Sequence, residues 1–250
     1  MKLQRTGLTE GSLIFNEWLK TKGLYREDTE GEFIQWLYST SGFYDSEIKG
    51  SNFDIDVEAV KKSINYQRFL REFHDSLLGS DMIHLMIHGE YHLNGQGKQE
   101  EFASRFAPQN YCYWKDVPYM KSVIAGKRIL VISSIAQQIT DKYWTEDNKI
   151  LGYTTPTTHL NHGEDKNFFE TLDRVTGDIA GIKGVHDFDL AVISFGAYGC
   201  LLADRIVGMG RSAMTIGSGI YDLFPVGEIP KDKRPAGWEK IEGGRYWIQK

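Results

Sequence analysis

The chain has 250 residues, of which 41% are hydrophobic and 25% charged, with a formal net charge of −5. That length accommodates one large α/β domain or two small ones, and the composition is that of a globular protein rather than a disordered one. The acidic balance argues against nonspecific duplex binding, which needs a dense Lys/Arg face, so no nucleic-acid partner is expected.

Two cysteines, Cys112 and Cys200, lie far apart and lack metal-ligand spacing, which disfavours a disulfide scaffold or zinc site and fits a reducing compartment. Residues 1–10 carry charges and no apolar stretch of signal-peptide length. No window approaches about 18 consecutive apolar residues. A cytoplasmic chain without a transmembrane segment is expected.

Taken in chain order, residues 12–19, 32–38 and 57–78 show apolar residues at helical spacing, the last through Val60, Ile64, Phe69, Phe73 and Leu77. A Gly/Ser/Asn/Asp-rich stretch over 39–56 reads as a loop. From Asp81 the pattern changes. Residues 82–87 and 213–216 are short strand candidates, while the apolar runs at 128–132 and 189–194 are strong ones. Helical patterns at 135–143, 167–182 and 198–207 fill the gaps. Strand, helix, strand at this spacing predicts βαβ units and one doubly wound, mostly parallel, Rossmann-like α/β sheet. The expected organisation is one domain: a helical N-terminal portion (1–80), a nucleotide-binding α/β core (81–224) and an irregular C-terminal strap (225–250).

In an open parallel sheet, ligands bind beyond the carboxyl ends of the strands. The residues following the predicted strands are His88-Gly89-Glu90, Ser133-Ser134, Gly196-Ala197-Tyr198-Gly199 and Gly217-Ser218-Gly219. The stretch Ser194-Phe195-Gly196-Ala197-Tyr198-Gly199 joins an apolar strand to a helix. Its glycines permit a tight turn, and the helix start offers amides and a positive dipole end, a phosphate cradle. A turn whose glycines serve only packing fits the same spacing, so both remain open. GxxG is not the dinucleotide GxGxxG, and the following strand ends without an acid for a ribose. Asp222 is a weak substitute, so NAD is disfavoured and S-adenosylmethionine only slightly less so.

Glu30 and Glu32 flank Gly31, and two such carboxylates can converge on Mg or Mn. Thr29-x-x-Glu32 also spells a capping box, and the two assignments are compatible. His84 and His88 share one face of a strand, which makes His84 a core or sheet-face residue. His88, beside Glu90 and His92, is a candidate acid/base. His159 and His162 stand in a polar loop with Glu164 and Asp165 that suits a lid, and a neutral imidazole there can deprotonate an acceptor hydroxyl. No G-x-S-x-G elbow, P-loop, HExxH or CxxC is present.

Residues 188–199, FDLAVISFGAYG, with the following LLADRIVGMGRSAMTIG, resemble the C-terminal half of glycosyltransferases from polysaccharide gene clusters, which are similar to the small D-type glycosyltransferase fold. In that family an ALIGCGAYG…LA…K..GK.AIHLGG run closes the domain. Residues 125–132, AGKRILVI, are similar to the family's GKKVLVIHPF strand, with Ser133-Ser134 in place of His-Pro. Residues 167–172, NFFETL, are similar to its SWFEAL helix, and IEGGRYW at 241–247 to its IEGGxYW close. Its N-terminal turn of Arg, Gly and Glu before a helix matches residues 25–37 loosely. Glu30-Gly31-Glu32 then stands where the family carries an Asp-x-Glu metal pair.

The resemblance implies transfer of a sugar from a nucleoside diphosphate sugar to a hydroxyl of a growing glycan, with a divalent Mn or Mg cation at Glu30 and Glu32. The strand ends place the expected donor contacts at Ser133, Ser194, Gly196, Ala197, Tyr198, Gly199, Gly217 and Ser218, with main-chain amides stabilising the departing diphosphate. Tyr198 would stack or hydrogen-bond near the donor. Glu32 would bind metal or act as base, and His88, Glu90 and His162 are the other candidate bases. Rival functions are a glycan methyltransferase and a non-catalytic nucleotide- or glycan-binding module.

Overall fold

The computed structural model describes residues 1–14, 27–39, 41–49, 54–84, 116–143, 149–155, 165–185, 187–226, 238–240 and 247–249. Among them, strands β1 (Lys2–Arg5), β2 (Met82–His84), β3 (Ile129–Ser133), β4 (Ile150–Thr154), β5 (Leu190–Ser194) and β6 (Ser212–Thr215) form one sheet in the order β2-β1-β6-β5-β3-β4. Every neighbouring pair is parallel. This is the Rossmann-like α/β architecture that the alternating pattern predicts.

Helices cover both faces, which is why the central strands read as unbroken apolar runs rather than alternating ones. Residues of opposite parity serve the two layers. Leu130, Ile132, Ala191 and Ile193 join one core, with Phe69 and Phe73 of α4 (Ile64–Leu78), Leu172 of α7 (Phe168–Val185) and Leu202 of α8 (Tyr198–Gly208). Ile129, Val131, Leu190 and Val192 join the other, with Met120 of α5 (Val117–Ile124), Ile139 of α6 (Ala136–Tyr143) and Ile220 of α9 (Ile220–Leu223).

The N-terminal region holds α1 (Leu8–Ile14), α2 (Glu27–Ser39), α3 (Val57–Lys62) and α4, but it opens with strand β1, inside the sheet between β2 and β6. Lys2-Leu3-Gln4-Arg5 carries no apolar run, so the sequence pattern conceals it. The lysine and glutamine side chains are satisfied internally instead. Gln4 is fully buried and donates to Ser76 Oγ at 2.9 Å and the Cys200 carbonyl at 2.8 Å. Lys2 Nζ donates to the Ser76 carbonyl at 2.7 Å and to Asp204 at 2.5 Å. Such pairing is what a buried amide and ammonium require.

The predicted helix over 57–78 is two helices, broken at Ser63. That residue closes α3 and caps α4, its hydroxyl accepting from the amides of Asn65 and Tyr66. The segment 225–250 is not wholly an irregular strap: β7 (Trp238–Lys240) and β8 (Trp247–Gln249) pair antiparallel, which satisfies their main-chain groups mutually. Edge strand β4 and helix α5 had no distinct sequence signal.

Candidate functional site

The chain leaves β3 toward the β4 edge and leaves β5 in the opposite direction, toward β6. The switch point of the sheet therefore lies between the carboxyl ends of β3 and β5, where Ser133 and Ser194 are register partners. Ser133 is buried, and its hydroxyl accepts from the Ile135 amide at 3.3 Å, shaping the turn into α6. Ser194 is half-buried at the end of β5.

Gly196 follows with φ +48°, the left-handed conformation that favours glycine. The turn is less open to a ligand than its sequence implies. The Ala197 amide donates to the Ser41 carbonyl at 2.8 Å, and the Gly199 amide closes back on Gly196 at 3.1 Å. A Cβ on Gly199 would meet the methyl groups of Ile193 and Thr215 at 3.7 and 3.8 Å, so this glycine sits at the contact between α8 and the sheet.

Tyr198 requires a correction. It is 1% exposed, its ring lying between Phe168 and Phe195, so it is a core residue and does not stack on a donor. Its aromatic body gains more from a desolvated stack than from the rim of a crevice.

The sequence pattern missed the residues that crowd the corner formed by β1 and β6. Arg5 ends β1, its amide donating to Thr215 Oγ1 at 2.6 Å. Gly217, after β6, also has φ +48°, and a Cβ there would fall 1.8 Å from Arg5 Nη1. The guanidinium lies directly against bare main chain. Glu10 of α1 is 3% exposed, folded back so closely that a Cβ on Gly7 would lie 1.9 Å from its Oε2. Burial pushes the Glu10 carboxyl above its ordinary range, opposed by its own amide, by a hydrogen bond with Ser41 and by the charge of Arg5. Ser41 thus joins Glu10, through its side chain, to the Gly196 turn, through its carbonyl. A strand ending in Arg, a turn glycine, then a Glu three residues later is the local signal that could have drawn attention here. Half-buried Ser218 lies beside Gly217 in the 3₁₀ turn Gly217–Gly219.

The structure separates Glu30 and Glu32. Both lie within α2, where residues two apart point about 200° away from each other, so they cannot converge on one cation. Glu30 is instead paired with Lys61 at 3.2 Å, and Glu32 is exposed. The capping box is displaced too, because α2 begins at Glu27 and Thr29 is already inside it. Among the described residues, no group of three His, Cys, Asp or Glu side chains is placed to hold a metal. The residues assigned to Mn or Mg do not fit it. His84 stands half-buried at the end of β2; His88, Glu90, His159 and His162 lie outside the described residues.

Fold and switch-point geometry define an α/β protein of Rossmann-like architecture with a polar corner at the carboxyl ends of β1, β5 and β6. No helix among the described residues is long and apolar enough to cross a membrane. Comparisons with protein-family models, curated proteins and solved structures find no match to this chain.

Proposed function

We propose that the protein is a nucleotide-sugar-dependent glycosyltransferase that binds the donor diphosphate at the Arg5–Gly217 corner and transfers its sugar to a glycan hydroxyl. The observation that carries this is the contact of the half-buried Arg5 guanidinium with a glycine that leaves no side chain between them. A planar, permanently charged guanidinium packed against a glycine suits charge-assisted contact with phosphate oxygens. The Gly196 turn follows the neighbouring strand β5, which ends at Ser194, and Ser218 stands in the turn after β6. The departing diphosphate gains negative charge as the glycosidic bond breaks, and a preorganised cation and amide stabilise that charge most when water is excluded.

Glu10 shares the corner. A carboxyl whose proton affinity is raised by burial is suited to take the proton of an acceptor hydroxyl as it attacks the sugar, as an inverting transfer requires.

The test is isothermal titration with UDP, GDP and S-adenosylmethionine, followed by turnover assays over a panel of nucleotide-sugars. Binding of a nucleoside diphosphate that is lost in Arg5→Met, together with sugar release from one donor, is expected. Binding of S-adenosylmethionine alone would select a methyltransferase, and nucleotide binding without turnover a non-catalytic module.

A further inference from the structure

At the other end of the sheet, a cleft of about 340 Å³ opens between the C-terminal end of α5, the amino ends of β3 and β4, and the segment following α9. Its wall is apolar, built by Ile124, Ile129, Ile150, Leu223 and Phe224. Leu223 and Phe224 are 3% exposed and Ile129 is 2% exposed, so this surface is set into the core rather than scattered over the outside. The Tyr143 hydroxyl and Lys142 ammonium both donate to the Pro225 carbonyl, at 2.9 and 2.5 Å, tying the segment after α9 to the end of α6. Tyr143 also packs against the Phe224 ring at 5.6 Å.

The polar side of the cleft carries one sign of charge. Lys121 and Lys127 line it, and no acidic residue does so among the described residues. The Lys127 ammonium donates to the Val123 carbonyl, which holds it at the end of α5 while using one of its three donor hydrogens. An apolar wall with two lysines in its lining complements a ligand with an apolar body and a single anionic end.

We infer that this cleft is a second ligand site, for a small amphipathic carboxylate with a body of about ten heavy atoms, a size that suits a cavity near the lower end of the ligand-site range. The site is independent of the nucleotide-sugar proposal: it lies at the amino ends of β3 and β4, and none of its lining residues belongs to the Arg5–Gly217 corner. One of its walls nevertheless starts there, since α9 follows Gly217–Gly219.

Octanoate is the probe, with octanol as the neutral control, titrated calorimetrically into the full chain. Octanoate is expected to bind at least about fivefold more tightly than octanol, a difference within reach of two partly exposed charges. In the Lys121→Gln/Lys127→Gln double variant that preference disappears while octanol affinity stays. Ala125 is exposed at the cleft mouth, so Ala125→Trp should fill it without unfolding the chain and abolish binding of both probes. Thermal melts without ligand check that each variant is folded. Equal affinity for the two probes, an unchanged octanoate affinity in folded Ala125→Trp, or no octanoate binding to the wild type would each overturn the site.

Discussion

Phe168 and Tyr198 stack with ring centroids 4.1 Å apart and planes inclined by 13°. Phe43 continues the column on the far side of Phe168, at 5.2 Å, and Phe195 on the far side of Tyr198, at 4.5 Å. Four rings from a loop, two helices and a strand end thus run beneath the Gly196 turn. The loop bearing Phe43 is pinned over the same corner, because Tyr44 accepts from the Phe168 amide at 2.7 Å and Ser41 from that of Ala197 at 2.8 Å.

Truncating that column should therefore cost stability before it costs chemistry. Tyr198→Ala is expected to lose about 3–5 kcal/mol in urea unfolding, as large aromatic deletions in cores do. Tyr198→Phe keeps the stack and loses the hydroxyl's hydrogen bond to Thr171, costing about 1 kcal/mol. Unaltered nucleoside diphosphate affinity in Tyr198→Phe would agree with its place in the core; a large loss of affinity would return the hydroxyl to the binding site.

Gly217→Ala should act mainly on Arg5. A methyl group cannot share the position of Nη1, so the guanidinium must swing away, and the positive φ adds about 1 kcal/mol of backbone strain. Calorimetry with UDP or GDP is expected to show at least about tenfold weaker binding, equivalent to about 1.4 kcal/mol. Gly199→Ala, whose Cβ meets only ordinary contacts, is the control that should keep affinity.

The protonation of Glu10 gives a pH signature. Its folded-state affinity for a proton is raised by burial, so the folded chain binds the proton more tightly than the unfolded one. The stability associated with that proton is fully present below the ordinary carboxyl value of 4.5 and is lost as pH rises through the higher folded value. Glu10→Gln removes the titration. The melting temperature of the variant relative to wild type should therefore increase from pH 4 to pH 8; a difference that stays flat over that range would rule out the shift.

Asp189 titrates in the opposite sense. Hydrogen bonds from the Arg128 side chain and amide hold its carboxyl down at about 2. The resulting stability is present above the unfolded value of 3.8 and is lost as pH falls through about 2. The carboxylate is 40% exposed, so solvent screening limits the pair, and Asp189→Asn should cost less than about 1 kcal/mol at pH 7. That cost should vanish near pH 2 in denaturant titrations.

Strands β2, β3, β5 and β6 and most of the helices were legible in the sequence because their signals are local and apolar. ILVIS and LAVIS cannot face water on either side, and the spacing of Phe69, Phe73 and Leu77 admits one helical face. The glycine turn after β5 was legible for the same reason. Its use was not: whether an amide meets a ligand or the carbonyl of Ser41 depends on a loop some 150 residues away in the chain. Strand β1 escaped notice because its buried lysine and glutamine are paid for by Ser76, Cys200 and Asp204, partners that only folding assembles. Helix geometry alone parted Glu30 from Glu32. The tertiary structure decided that Arg5, Glu10 and Gly217 share one corner, since long-range parallel pairing of β1 with β6 leaves no trace in the residues next to either strand.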